Sequence, residues 1–412
     1  MIFPMSGPRI LSFEDARHLV EEQTANLRPR GTETVDLLQS VDRVLAEPIV
    51  ADRDFPPFPR AARDGYAVRS SDLAQLPATL EVIAEIRAGA PPEDLPRTVG
   101  VGEAAAIMTG APAPAGADAI VMVEYTSRTG SRVQINRGVA SGDNIVPTGS
   151  EAHRNGQLLA AGTRLDEAAI AVLASVGRAK PQVYLRPRVA VLSTGDEVVG
   201  IDVQPGPNQI RNSNSCSLAA QIQNSGAEPV LLPIGPDEPK RLLELIETGL
   251  QSDLLLLAGG VSVGKYDLVE QVLAELKAEF FFTGALIQPG RPVVFGRAAR
   301  GKYFFGLPGN PISTMVTFEL FARPVIEALV GMAPRKLVFL HARLKSEIKT
   351  KAGLKRFLPA ILSGEFEHAE VELTGWHGSG DIAAAARANC YVVIPPDRDR
   401  IPVGEWVPLL LR

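Results

Sequence analysis

The sequence predicts a multidomain α/β plus β protein, built around a doubly wound α/β domain. Its 412 residues exceed what one hydrophobic core usually supports, so the chain should divide into several domains. Over residues 186–333, short apolar strands alternate with amphipathic helices, a pattern typical of a parallel sheet covered on both faces. Elsewhere, short strand-like runs are separated by glycine and proline turns, which indicates β-rich domains.

Changes in this pattern divide the chain into five segments. A helix is expected after Ser12, because the run Ser-Phe-Glu-Asp resembles a capping box. The helical pattern stops after Pro334, so the last segment is expected to be a small β-barrel or sandwich. In order, the segments are the first part of an N-terminal domain (1–50), an inserted β-rich domain (51–139), the second part of the N-terminal domain (140–185), the α/β domain (186–333) and a C-terminal β-domain (334–412).

Within the α/β domain the alternation predicts both strands and helices. Strands are expected at Val189–Leu192, Pro229–Ile234, Leu254–Ala258, Val293–Phe295 and Tyr303–Phe305. Helices are expected at Ser215–Asn224, Pro239–Gly249, Asp267–Ala278 and Pro311–Val330. A further helix, Asp166–Ser175, is predicted in the second part of the N-terminal domain, with Asp166 as its N-cap.

The bulk composition excludes several classes of protein. A net charge of −5 argues against nucleic-acid binding driven by bulk charge, so no nucleic-acid partner is expected. Cys216 and Cys390 are too few for a disulfide framework, and the five histidines lack the spacing of a zinc site. Neither a signal-peptide pattern nor an apolar run of about 20 residues is present. We therefore expect a cytoplasmic protein that does not span a membrane.

Three loops are expected to converge at one edge of the parallel sheet, because ligands bind beyond the carboxyl ends of its strands. Their convergence is more specific than any single motif. The loops are Ser193-Thr194-Gly195-Asp196-Glu197, the glycine loop 259–267, and Gly306-Leu307-Pro308-Gly309-Asn310-Pro311-Ile312-Ser313.

The glycine loop 259–267 matches most of the phosphate-loop pattern of NTPases. Tyr266, however, occupies the position where a serine or threonine must bind Mg²⁺, which argues against that activity. Glycines still let backbone N–H groups approach an anion, and the following helix N-terminus favours negative charge. A tight turn selected for packing is the alternative. The candidate binding residues are Gly259, Gly260, Ser262, Gly264 and Asp267.

The other two loops suit a cation and an anion. Asp196 and Glu197 follow a buried strand, and such carboxylates are the hard oxygen ligands that Mg²⁺ prefers, although simple capping is an equal alternative. Asn310 is predicted as an N-cap with Pro311 at the first helical position, which makes a second anion cradle or merely a capped helix.

The flanking domains offer weaker signals. Asp64-Gly65 is a common turn pair, and the loop around Thr109 is ordinary, so each taken alone favours a structural role. Ser379 lies between two glycines in the last domain, where a turn is the more usual interpretation. No Gly-x-Ser-x-Gly motif is present, which argues against an α/β-hydrolase.

Taken together, the motifs resemble those of the MoeA family of molybdopterin molybdenumtransferases, which includes the C-terminal part of gephyrin. The resemblance covers nearly the whole chain in family order. Six motifs carry it: Asp64-Gly-Tyr-Ala67, Met108-Thr-Gly-Ala-Pro112, Ser193-Thr-Gly-Asp-Glu197, Gly259-Gly-Val-Ser-Val-Gly264, Pro289-Gly-Arg-Pro292 and Gly306-Leu-Pro-Gly-Asn-Pro311.

The resemblance implies a fold and an assembly. It implies a split N-terminal domain with an inserted β-domain, a molybdopterin-binding α/β domain and a C-terminal β-barrel-like domain. It also implies an elongated homodimer in which the insertion of one subunit faces the α/β domain of the other. In that assembly Asp64 and Thr109 belong to the same site as Glu197.

The resemblance also implies a reaction in molybdenum cofactor biosynthesis. Adenylylated molybdopterin takes up molybdate at its dithiolene sulfurs, the phosphoanhydride is hydrolysed and AMP leaves, with Mg²⁺ neutralising the phosphates. Thr109 would hydrogen-bond molybdate oxygens. The implied catalytic residues are Asp64, Thr109, Glu197, Asp237 and Asp267, of which Asp64, Glu197 and Asp267 bind the metal. The implied cofactor-binding residues are Thr194, Gly195, Asp196, Gly259, Gly260, Ser262, Gly264, Arg291, Pro308, Gly309, Asn310, Pro311, Ser313 and Ser379. Glu151 stands where an acidic residue is usual.

Two positions depart from the family pattern. Gln288 stands where the family often has a lysine before Pro-Gly, and Leu358-Pro359 stands where an arginine often follows a phenylalanine. Lys351, Lys355 and Arg356 are the nearby cations that can substitute, although lysine and arginine geometries differ.

Other functions are consistent with the same motifs. One is an adenylyltransferase that uses ATP in the preceding step, and such an upstream enzyme is also a candidate partner. Another is a paralogue that uses tungstate or a different carrier. The third is a non-enzymatic scaffold like gephyrin, which anchors a receptor peptide.

Overall fold

The computed structural model describes residues 9–96, 98–260, 268–298, 301–332 and 336–412. They form two compact units, which we call the large unit and the small unit. The five-segment division remains a prediction. The large unit consists of the described residues of Met1–Ala46, Gly162–Asp166 and Lys180–Arg412, and the small unit consists of those of Glu47–Ala161 and Glu167–Ala179.

A six-stranded sheet forms the centre of the large unit. Its first four strands are parallel, and the fifth is antiparallel to both of its neighbours. The sequence predicted five of these strands as a parallel sheet, so the direction of Val294–Arg297 was wrong, and the strand Glu279–Phe282 was missed. Only five residues connect Val294–Arg297 to Tyr303–Leu307, too few for the crossover that a parallel pair needs. The spatial order is Glu228–Leu231, Arg188–Ser193, Leu254–Ala258, Tyr303–Leu307, Val294–Arg297 and Glu279–Phe282.

Helices cover both faces of this sheet, as the apolar strands predicted. Val189 and Val191 belong to one hydrophobic core, and Ala190 and Leu192 belong to the other, because successive side chains of a strand point to opposite faces. The helices are Ser213–Asn224, Pro239–Gly249, Leu268–Glu275 and Pro311–Thr317; a π-helical turn, Phe318–Ala322, and the helix Arg323–Leu329 then continue the last of these. The predicted doubly wound fold is confirmed.

The N-terminal helix Phe13–Thr24 packs beside that π-helical turn. It begins where the capping box predicted, with the Ser12 hydroxyl accepting a hydrogen bond from the backbone N–H of Asp15. Pro324 has no N–H to donate to the carbonyl of Leu320 four residues earlier. The buried Arg17 guanidinium donates to that carbonyl instead, at 2.8 Å.

The C-terminal segment closes into a five-stranded barrel, because its end strands, Lys355–Ser363 and Cys390–Ile394, also pair with each other. A short strand from the α/β region, Ile287–Gln288, pairs in parallel with the barrel and places Gln288 opposite Arg356. The barrel strands are Phe339–Leu344, Lys355–Ser363, Glu370–Leu373, Cys390–Ile394 and Trp406–Leu411, with a short helix at Ile382–Arg387.

The small unit contains a second six-stranded sheet and the helix Glu167–Ser175. Its strands confirm the predicted β-rich character of the insertion. In spatial order they are Ala119–Met122, Gly65–Val68, Glu103–Ile107, Ala78–Ile86, Arg132–Ile135 and Thr126–Thr129. No helix in the described part of the chain combines the length and the apolar character needed to cross a membrane.

Candidate functional site

A cleft of about 1130 Å³ lies at the carboxyl edge of the α/β sheet, and we call it the strand-end cleft. Ser193, Ala258 and Leu307 are register neighbours at the ends of three adjacent parallel strands. The loops that follow them therefore emerge side by side, as the sequence predicted. Predicted residues that line the cleft are Thr194, Gly195, Glu197, Asp237, Gly259, Gly260, Pro308, Gly309, Asn310 and Pro311.

Thr194 forms the floor of this cleft together with the start of the glycine loop. The backbone of Gly260 has a φ of +63°, and a Cβ there would lie 2.8 Å from the Thr194 hydroxyl oxygen. A side chain would clash at this position, so glycine is required. The Thr194 side chain is 95% buried, with a relative exposure of 5%, and its hydroxyl has no hydrogen-bond partner among the described residues. Such an unpartnered buried hydroxyl is typical of a site completed by a ligand.

Three carboxylates lie close together here: Glu197 and Asp237 line the cleft, and Asp196 is hydrogen-bonded to the backbone of Asp237. The backbone N–H of Asp237 donates to Asp196 Oδ1 at 3.1 Å. Burial, and then the charges of Asp196 and Glu197, raise the pKa of Asp237. Among the described residues, none of the three carboxylates forms an ion pair with a basic side chain. The excess negative charge fits a divalent cation.

The described residues contain no group of three histidine, cysteine or acidic side chains arranged to hold a metal by themselves. Mg²⁺ does not require one, because it is commonly bound by one or two carboxylates together with substrate phosphates and water. Glu197 and Asp237 are the cleft-lining carboxylates that fit this mode.

The N-terminus of helix Ser213–Asn224 forms another wall of the cleft, which the sequence interpretation missed. Asn212 caps it by accepting from the backbone N–H of Ser215 at 3.0 Å, and Ser193 donates to the same Asn212 oxygen. The free N–H groups of the first turn favour an anion. The signal was present in the sequence, since an asparagine cap precedes the helix by one residue.

Asn310 lies at the N-cap position of Pro311–Thr317, as predicted, but its side chain makes no capping hydrogen bond. Its Nδ2 instead donates to the hydroxyl of Ser379 at 2.8 Å, and the backbone N–H of Ile312 donates to the Ser379 carbonyl at 3.0 Å. The predicted N-cap position of Asn310 is therefore confirmed, while its side chain binds Ser379 and not the helix backbone. The contact joins the α/β loop to the barrel segment.

A second cavity of about 840 Å³ lies beyond this contact, and we call it the barrel-side cavity. Its described lining contains no acidic residue, but it contains the three cations Arg291, Lys351 and Arg356. The predicted residues Arg291, Pro308, Asn310, Ser313 and Ser379 also line it.

Arg356 is the buried cation of the barrel-side cavity, with a relative exposure of 5%. One of its terminal nitrogens donates to the carbonyl of Lys351, whereas its Nε has no hydrogen-bond partner among the described residues. Burial lowers the pKa of Arg356, with no neighbouring carboxylate to oppose it. A buried guanidinium without a counter-ion fits an anionic ligand.

Asp64 and Thr109 lie next to each other in the small unit. Asp64 precedes strand Gly65–Val68 and Thr109 follows Glu103–Ile107, its antiparallel neighbour. Both the backbone N–H and the hydroxyl of Thr109 donate to Asp64 Oδ1, each at 2.7 Å. These bonds hold the pKa of Asp64 below its ordinary value. Gly65 is structurally required, because a Cβ there would lie 1.9 Å from the Val121 carbonyl oxygen.

Several predicted residues play other roles or lie outside the described residues. Glu151 forms an ion pair with Arg60 at 2.8 Å. Ser262, Gly264 and Asp267 lie outside the described residues, so their roles remain predictions.

Comparisons with known proteins match the chain along most of its length. Residues 11–177 match the MoeA N-terminal region (domain I and II), residues 190–328 match a probable molybdopterin binding domain, and residues 341–411 match the MoeA C-terminal region (domain IV). Among curated proteins, the chain is 37% identical to a molybdopterin molybdenumtransferase of a Nostoc species, over 92% of this chain and 89% of that one. It is 34% identical to the molybdopterin molybdenumtransferase of Bacillus subtilis, over 92% and 90% of the two chains.

A solved structure agrees with these sequence matches. The crystal structure of a molybdopterin biosynthesis moeA protein from Pyrococcus horikoshii superposes with a TM-score of 0.79 at 30% identity. The match covers 98% of this chain and 100% of that chain. The resemblance in motifs therefore extends to the fold of the complete chain.

Proposed function

Since this chain belongs to the molybdopterin molybdenumtransferase family, whose enzymes act in molybdenum cofactor biosynthesis, we propose that it inserts molybdate into adenylylated molybdopterin and releases AMP. The two dithiolene thiols of the substrate displace one oxygen of molybdate, which leaves as water with the two thiol protons. A water molecule attacks the phosphoanhydride, whose P–O bond breaks to give AMP and the pterin phosphate.

The observation that carries this proposal is the separation of charges between the two neighbouring cavities. The strand-end cleft has unpaired carboxylates beside N–H groups, which suits phosphates bridged by a cation. The barrel-side cavity has cations without carboxylates, which suits an oxyanion. Both are lined by Pro308 and Asn310.

We assign the phosphates to the strand-end cleft. The backbone N–H group of Gly260, and those of Ser213 and Asn214 in the first turn after Asn212, bind phosphate oxygens. Mg²⁺, held by Glu197 and Asp237, supplies charge neutralisation for the phosphoanhydride when it is bound. The Thr194 hydroxyl completes its hydrogen bonding on the substrate.

We assign molybdate to the barrel-side cavity. Arg356 donates to the oxyanion through its unpartnered Nε, and Ser379 and Arg291 supply further donors. Arg356 stands opposite Gln288 in the strand pairing, so it provides a positive charge beside the position where a lysine is usual in the family. This placement compensates for the two departures from the family pattern.

The proposal is tested by supplying the purified chain with adenylylated molybdopterin, Mg²⁺ and one oxyanion while AMP is measured. We expect release of AMP that depends on molybdate. Tungstate in place of molybdate, at matched concentration, determines the oxyanion preference. Release of pyrophosphate from ATP and molybdopterin, with no molybdate-dependent AMP, would instead assign the preceding adenylyl transfer.

We further propose that the enzyme is a cytoplasmic homodimer, on the basis of the family resemblance. Sedimentation equilibrium of the purified chain should give the mass of two chains. A single-chain mass across the range of concentrations used for activity would contradict it. Binding to an upstream adenylyltransferase is a separate proposal, for which co-sedimentation with that enzyme is the test.

A further inference from the structure

The contact between Asp64 and Thr109 uses every proton that Thr109 can donate. A threonine has one hydroxyl proton and one backbone N–H. Both point to Asp64 Oδ1, each at 2.7 Å. The hydroxyl of Thr109 therefore has only lone pairs left for a ligand. While this contact holds, Thr109 has no proton to donate to an oxyanion.

The backbone on both sides of this contact is fixed by hydrogen bonds. Val123 N–H donates to the carbonyl of Asp64 at 3.1 Å, and Gly110 N–H donates to the carbonyl of Ala61 at 2.8 Å. The two strands that carry Asp64 and Thr109 are also hydrogen-bonded neighbours. Asp64 is exposed, and an exposed carboxylate normally samples several rotamers. Here two donors on a rigid edge select one orientation.

This orientation of Asp64 leaves only oxygen acceptors free for a ligand. Asp64 Oδ1 already accepts two hydrogen bonds, whereas no described residue donates to Oδ2. The free Oδ2 and the lone pairs of the Thr109 hydroxyl are both oxygen acceptors. Neighbouring oxygen acceptors suit a divalent cation and repel an oxyanion.

We infer that Thr109 is a positioning residue, which fixes Asp64 with its Oδ2 free to bind a divalent cation, and that it does not bind the oxyanion. This differs from the role implied by the family resemblance, in which the hydroxyl contacts molybdate. The inference rests on the proposed function only in one respect, namely that the cation assists the release of AMP. The positioning itself is a property of the small unit.

The experiment measures Mn²⁺ binding to the full chain by electron paramagnetic resonance, with Mn²⁺ as the probe for Mg²⁺. Thr109→Val keeps the shape of the side chain and removes the hydroxyl, and Thr109→Ser keeps the hydroxyl. We expect Thr109→Val to weaken Mn²⁺ binding about fivefold to tenfold, because one charge-assisted hydrogen bond is lost. Thr109→Ser should remain within about twofold of the wild type.

A double-mutant cycle shows whether Thr109 acts through Asp64. Asp64→Ala should weaken Mn²⁺ binding, and Thr109→Val should have no further effect in that background. If the two substitutions weaken Mn²⁺ binding independently, so that their effects multiply in the double mutant, the inference is overturned. So would a wild-type affinity for Mn²⁺ that neither substitution changes. Circular dichroism of each variant shows that the fold is retained.

Steady-state kinetics provide a readout that separates this inference from the proposed function. Thr109→Val should raise the Mg²⁺ concentration needed for half-maximal AMP release and leave the KM for molybdate unchanged. A raised KM for molybdate with an unchanged Mg²⁺ dependence would show that Thr109 binds the oxyanion. If the wild type releases no AMP, the proposed function fails, whereas the Mn²⁺ cycle still decides the role of Thr109.

Discussion

The strand-end cleft and the barrel-side cavity share Pro308 and Asn310 but have opposite charge. The first presents carboxylates, among which burial, and then the charges of Asp196 and Glu197, raise the pKa of Asp237. The second presents the guanidinium of Arg356, whose pKa is lowered by burial. Each cavity has a charge that the protein itself does not balance. The contrast supports our proposal that a cation and an oxyanion bind in separate but adjoining cavities.

The largest effect is expected from Glu197→Gln in the strand-end cleft. Replacing the carboxylate with an amide removes a hard, charged ligand of Mg²⁺, so AMP release should fall by about 100-fold or more. The turnover number under saturating substrate measures the effect. Asp202→Asn, which removes a nearby exposed charge outside the cleft lining, is the matched control. Turnover by Glu197→Gln equal to that of the control would remove Glu197 from the mechanism.

The second effect concerns the barrel-side cavity. Arg356→Met should raise the KM for molybdate about tenfold, because a charge-assisted donor is lost. It should also raise the melting temperature of the free protein by about 2 °C, because a buried charge without a counter-ion is replaced by an apolar chain of similar length.

Lys349→Met removes an exposed cation from the same barrel and serves as the control. A fall in the melting temperature of Arg356→Met would show that the guanidinium stabilises the fold. An unchanged KM for molybdate would place the oxyanion elsewhere.

The third prediction concerns Asp237 in the strand-end cleft and the dependence of the free energy of unfolding on pH. The raised pKa of Asp237 means that the folded protein binds its proton more tightly than the unfolded chain does. The free energy of unfolding should therefore fall as the pH rises from the ordinary aspartate pKa of 3.8 toward the raised value. Asp237→Asn removes this contribution, and urea unfolding at several pH values measures it.

At neutral pH, Mg²⁺ should offset the loss of stability that ionised Asp237 causes, because a cation favours the ionised carboxylate. We expect Mg²⁺ to raise the melting temperature of the wild type more than that of Asp237→Asn. Glu238→Gln, one residue away and outside the cleft lining, should respond like the wild type. Identical Mg²⁺ responses in all three proteins would exclude Asp237 as a ligand.

The smallest effect is expected where the two cavities meet. Ser379→Ala removes the acceptor of the Asn310 side chain, a neutral hydrogen bond of 2.8 Å. The KM for molybdate should rise about twofold to threefold, with little change in turnover. A 100-fold loss of turnover would show that Ser379 takes part in the chemistry itself.

Local signals in the sequence were sufficient for most of the α/β domain. Pro239–Gly249 and Leu254–Ala258 have the predicted bounds, because their apolar periodicity and flanking breakers act within a few residues. The edge strand Glu279–Phe282 was missed, and its direction follows from a pairing with Val294–Arg297 that no local pattern specifies. The helix expected over Pro311–Val330 is interrupted by a π-helical turn, where Pro324 removes one backbone donor.

The candidate site was predictable to a similar degree. Thr194, Glu197 and Gly259 were located because the carboxyl ends of parallel strands always meet at one edge. The barrel-side cavity was not predicted as a separate site, although five of the predicted binding residues line it and Arg356 is one of the predicted substitute cations. Its burial depends on a strand pairing between Ile287–Gln288 and the barrel, and long-range pairings leave no periodic trace in a sequence.

The sequence by itself determined which residues can carry charge, which turns require glycine and where most of the α/β strands lie, because these follow from local sterics and side-chain periodicity. The tertiary structure decided which charges remain unbalanced. Asp64 is fixed by Thr109 across two strands, and Arg356 is buried without a carboxylate. Such environments depend on contacts between segments far apart in the chain. The sequence therefore predicted the charged residues but not the residues that contact them.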